Sequence, residues 1–77
     1  MDNIFDQVKE ERIRQDKLWG IQSHDIEKWA IILGEEYGEF CKDIVDGRIE
    51  HAREELVQVA AVAVAALQSM DRVNPWI

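Results

Sequence analysis

The chain has 77 residues, 47% of them hydrophobic and 32% charged, with a formal net charge of −7. That length makes one domain, residues 1–77, with a marginal core, because so short a chain buries only about 60% of its unfolded surface. The acidic balance argues against nucleic-acid backbone and anionic membrane as primary partners, and the longest apolar run, residues 59–67, is half of what a membrane span requires. A single cysteine, Cys41, allows no intrachain disulfide or zinc constellation and is expected as a core filler. The acidic amino terminus lacks a basic segment followed by an apolar one, so no signal peptide is expected and the chain reads as cytoplasmic.

Residues 3–17 carry the first helical pattern, with Ile4, Phe5, Val8 and Ile13 apolar and Asp2 or Asn3 available as N-cap. The second half of that segment is almost wholly polar and either faces water or lines a polar cleft. Gly20 stops the helix. Trp19 therefore stands beside a connection, where it closes a core edge or stacks on a planar ligand. Ser23 is the expected N-cap of the next helix, with Asp25 in its first turn. His24 at the same junction is read as a surface or capping residue, with ligand contact as the alternative.

The second helix is expected over residues 24–45. Ile26, Trp29, Ala30, Leu33, Tyr37, Phe40, Cys41 and Ile44 recur at helical spacing and make a broad apolar stripe. At 100° per residue, Glu36 and Asp43 fall near the direction of Trp29 at the border of that stripe, and Glu39 falls just outside it. Asp46-Gly47 is a turn signal. Residues 48–70 form the third helix, whose run 59–67 is apolar all round and must be covered on every side. Three helices of one short chain cannot do that, so a partner chain is expected. Pro75 prevents continuation, and Trp76 is expected as a packing anchor or an exposed tail residue.

The stretch 33–40, Leu-Gly-Glu-Glu-Tyr-Gly-Glu-Phe, is costly as helix. Each interior glycine loses about 1 kcal/mol against alanine, and the i,i+4 pair of Glu35 and Glu39 loses roughly 0.2–0.5 kcal/mol more. The bland explanation is a solvated glutamate face with glycines for close packing. The chemical one is a hard cation, because Glu36 and Glu39 stand i,i+3 and project from one face. Glu55 and Gln58 repeat that geometry on the third helix. If helices two and three pack antiparallel through Asp46-Gly47, the two pairs meet at the same height, about 10–12 Å from the turn. Three carboxylates and an amide oxygen would then repel when desolvated, and magnesium relieves that repulsion while keeping positions for water or phosphate. A di-iron bundle needs Glu-x-x-His, and neither His24 nor His51 stands three residues after a glutamate. His51, one turn before Glu55, is expected to make a charge-stabilising contact there.

Glu36-x-x-Glu39 followed by Glu55-x-x-Gln58 resembles the Glu-x-x-Glu … Glu-x-x-Asp signature of the all-α nucleoside triphosphate pyrophosphohydrolases, the MazG and dimeric dUTPase superfamily. Leu33-Gly34-Glu35-Glu36-Tyr37-Gly38-Glu39 is similar to its Gly-Glu-x-Gly-Glu core. Arg14-Gln15-Asp16-Lys17-Leu18-Trp19-Gly20 resembles the lead-in of short MazG-related proteins, so the likeness spans about residues 9–69. It implies an all-α fold in which antiparallel helices complete a four-helix-type bundle by homo-oligomerisation, as dimer or tetramer. It also implies magnesium-dependent hydrolysis of a (deoxy)nucleoside triphosphate to monophosphate and pyrophosphate. By position, Glu36, Glu39 and Glu55 would be catalytic and hold magnesium, with Gln58 as a further metal ligand where the family usually has aspartate. Trp19 and His24 would flank the base, and Lys17 would approach phosphate. Many relatives carry a further helix, so the missing surface is expected from a partner subunit. Because Gln58 brings no charge, the alternative is a weak or inactive homo-oligomeric binding module of the same fold.

Overall fold

The computed structural model describes residues 3–73, the side chain of Val73 excepted. They form an all-α fold of three helices, α1 (Ile4–Trp19), α2 (Ile26–Val45) and α3 (Ile49–Val73). Each start has a local cause. Asn3 caps α1 by accepting from the Asp6 amide at 2.8 Å. Asp25, not the expected Ser23, caps α2 by accepting from the Lys28 amide at 2.9 Å. Ser23 is occupied elsewhere, within 3.4 Å of the Arg72 guanidinium.

The α2–α3 reversal is a Schellman turn. The Arg48 amide donates to the Asp43 carbonyl at 2.8 Å and the Gly47 amide to the Ile44 carbonyl at 3.1 Å, with Gly47 at φ 76°. That left-handed conformation is where glycine costs least. It folds α3 back antiparallel along α2, so Trp29 near the start of α2 packs with Val62 and Ala65 in the second half of α3.

The contact follows a seven-residue spacing on both sides: Trp29, Glu36 and Asp43 on α2, and Glu55, Val62 and Ser69 on α3. This is the repeat of two helices crossing at a shallow angle. Helix α1 packs on α3 alone, and among the described residues α1 and α2 do not pack on each other. The two therefore form the walls of a groove whose floor is α3. The connection between them is pinned at its far end. Ser69 Oγ accepts from the His24 amide at 3.0 Å, and Arg72 donates to the Gln22 carbonyl at 2.8 Å.

The core is small and partly polar. Trp29, 3% exposed, is its one large apolar side chain, beside Ala52, Ala61, Val62 and Ala65. Truncating a buried tryptophan costs about 3–5 kcal/mol, a large share of what stabilises a small domain. Gln15, Asp43, Glu55 and Ser69 are buried with these apolar residues. Most of the stripe expected on α2 stays uncovered in the single chain: Ile26, Tyr37 and Ile44 are exposed, and Leu33, Phe40 and Cys41 are half-buried. Leu56 and Leu67 on α3 are exposed as well. No described helix is long and apolar enough to cross a membrane. Pro75 and Trp76 lie outside the described residues.

Candidate functional site

The antiparallel return of α3 brings Glu55 opposite the Glu36–Glu39 face of α2. Oxygens of Glu36, Glu39 and Glu55 lie within 4.8 Å of one another. Glu39 is exposed, Glu36 half-buried, and Glu55 buried at 7% exposure. The cluster thus opens on one side to solvent and is backed by the helix interface on the other. One oxygen each of Glu36 and Glu55 is shielded from water and has no hydrogen-bond partner. A buried carboxylate oxygen in that state carries a desolvation penalty.

Burial, then the neighbouring Glu36 and Glu39 carboxyls, push the Glu55 pKa up to about 7, into the range where it exchanges its proton near neutral pH. The charge balance explains why, since no Lys, Arg or His makes an ion pair with any of the three among the described residues. A hard divalent cation fits this donor set, being all oxygen, net negative and open on one side.

Beside the cluster lies a cavity of about 250 Å³ in the groove between α1 and α2. The α1 wall supplies Arg12, Gln15 and Asp16, which answers for the polar second half of that helix. Their side chains are fixed by one another: Arg12 donates to Gln15 at 3.2 Å and to Asp16 at 3.0 Å, and reaches Gln68 on α3 at 3.1 Å. Trp19, Gly20 and Gln22 form the end, and Trp29, Ile32 and Glu36 the α2 wall. Gln58, Val62 and Ala65 form the floor. Glu36 belongs to both the carboxylate cluster and the cavity, so whatever fills one adjoins the other.

The remaining expected site residues divide. Trp19 is 59% exposed and stands on the cavity wall, so it is a wall and not a core residue. Lys17 is exposed and does not line the cavity. His24 sits edge-on to Trp29, ring centroids 5.0 Å apart, and does not line the cavity. There it pads the core while its backbone binds Ser69.

His51, expected to steady Glu55, turns the other way: its Nδ1 lies 2.7 Å from Asp43 Oδ2. Asp43 and Gln15 are buried polar residues to which the residue pattern alone gives no role. Asp43 shares the direction of Trp29 at a spacing of fourteen residues, which marks it for burial. Gln15 offers no such signal, because its burial comes from α1 docking on α3. Comparison of the chain with protein-family models, curated proteins and solved structures gave no match.

Proposed function

We propose that this chain is a magnesium-dependent nucleotide pyrophosphohydrolase that converts a (deoxy)nucleoside triphosphate to monophosphate and pyrophosphate. The observation that carries the reading is the convergence of Glu36, Glu39 and Glu55 without an internal cation, directly beside a cavity walled by Trp19 and Trp29. The sequence likeness to the MazG and dimeric dUTPase superfamily supports it independently.

Glu36, Glu39 and Glu55 would hold the ion, which when bound neutralises triphosphate oxygens and activates a water for attack. The chain's own part is positional. Trp19 gives an aromatic wall for the base, and the groove excludes water from one side of it. Glu36 on the shared wall sets the triphosphate against the carboxylates. Magnesium suits the site because it keeps several ligand positions for water and phosphate when protein supplies few.

The exposed Ile26, Tyr37, Ile44, Leu56 and Leu67 favour a homo-oligomer in which a second copy covers α2 and α3 and completes a four-helix-type bundle. The same surface favours the second reading, a homo-oligomeric module of this fold with weak or no turnover. One experiment separates the two. Pyrophosphate release is measured over a panel of common and damaged nucleoside triphosphates with and without magnesium, alongside thermal melting. The hydrolase gives metal-dependent release and a metal-dependent rise in Tm; a ligand at a hundredfold excess over its Kd adds about 2.7 kcal/mol. An oligomer that shows neither effect is the binding module.

A further inference from the structure

Gln58 stands one turn after Glu55 on the same helix, where the likeness to the pyrophosphohydrolases would make it a metal ligand. Its surroundings give it a different task. It lies on the floor of the cavity with Val62 and Ala65, and is half-buried. No side-chain hydrogen bond to it occurs among the described residues. A half-buried amide left without a protein partner, beside Val62 and Ala65 in a cavity whose α1 wall has its polar groups tied to one another, is a polar group free to orient a bound ring.

The charge count points the same way. Glu36 and Glu39 already match the charge of a divalent ion, Glu55 adds a third carboxylate once the ion displaces its proton, and magnesium leaves its other positions to water and phosphate. An amide oxygen would add no charge to that set, and it would spend a group that can both donate and accept.

We infer that Gln58 is a specificity-determining residue for the nucleoside half of the substrate, its amide meeting a polar edge of the base or sugar, and not part of the metal site. The inference rests on the pyrophosphohydrolase reading for the identity of the ligand. It departs from that reading in what Gln58 does. Glutamine at this position is then a gain in recognition and not a damaged ligand set.

The test separates metal from nucleoside. Manganese alone, as a magnesium substitute, is titrated into wild type, Gln58→Ala and Gln58→Glu. Deoxynucleosides without phosphate are then titrated into the same proteins, read by the fluorescence of Trp19 and Trp29, with Trp19→Phe to assign the signal. Circular dichroism melts verify folding, and the two substitutions guard against a single variant that fails to fold. We expect manganese affinity to stay within about twofold in Gln58→Ala, and nucleoside affinity to fall about three- to tenfold, the usual worth of one neutral hydrogen bond. In Gln58→Glu nucleoside affinity falls as well.

Loss of manganese affinity in Gln58→Ala together with tighter manganese binding in Gln58→Glu would make Gln58 a metal ligand and overturn the inference. Unchanged nucleoside affinity in both variants overturns it too. Failure of the parent reading looks different: wild type itself would release no pyrophosphate from any triphosphate.

Discussion

Two buried acids on the α2–α3 seam meet opposite fates. Asp43, 4% exposed, sits beside the turn and is neutralised from within the chain, by His51 at 2.7 Å and by Arg48 at 3.6 Å. Glu55, one turn after His51 on α3, is left without it because that ring turns to Asp43; it has only Glu36 and Glu39 for company and binds a proton more readily instead. A buried carboxylate is tolerated only when paired or protonated. The first pair locks the hairpin end. The second cluster is a deficit that an outside cation can fill, and stability does not account for it.

That contrast is broken most severely by removing the carboxylates themselves. Glu36→Gln and Glu39→Gln should each abolish magnesium-dependent pyrophosphate release. The loss should exceed the about 10–100-fold that follows removal of a group merely supporting a metal ligand. Their metal-free Tm should stay level or rise slightly, because each substitution relieves repulsion. Full activity in either variant would remove the carboxylate cluster from the chemistry.

Much of this architecture can be read from the residues, because its causes are local. The helical spacing of apolar positions, Gly20 and the Asp46-Gly47 turn fix three helices and their antiparallel return. The i,i+3 pairs then place Glu36, Glu39 and Glu55 together with no further information. What could not be read depends on how α1 docks. The cavity exists because α1 packs on α3 without touching α2, and Gln15 is buried for the same reason. The choice between Ser23 and Asp25 as cap, and between Glu55 and Asp43 as partner of His51, is likewise settled by contacts across the fold. Ser23 lies against Arg72, and Asp43 presents the nearer carboxylate to His51.

A pH series sharpens the contrast next. The pKa of Glu55 is raised from 4.5 to about 7 by burial and by its acidic neighbours. The folded chain therefore binds that proton more tightly than the unfolded chain does. The resulting stabilisation is fully present below pH 4.5 and is lost as pH rises through about 7. In EDTA, Tm should fall across that window, and Glu55→Gln should flatten the fall. Magnesium should raise Tm more on the alkaline side than on the acid side, since the ion competes with the proton. A wild-type slope retained in Glu55→Gln would mean that another group carries it.

The smallest effect belongs to the turn. Asp43 raises the His51 pKa above its ordinary 6.5, by hydrogen bond first and by charge second. The imidazolium is thus favoured in the folded chain. Its contribution is fully present below pH 6.5 and is lost as pH rises through the higher folded value. The ring is largely exposed, so solvent screens the pair and the step in Tm should be slight. His51→Gln keeps a hydrogen-bond donor near Asp43 but cannot titrate. It should erase that step while leaving the Glu55 step and the manganese affinity unchanged. A shift in manganese affinity in this variant would show that the hairpin end and the carboxylate cluster are coupled, and that the two buried acids do not act as separate devices.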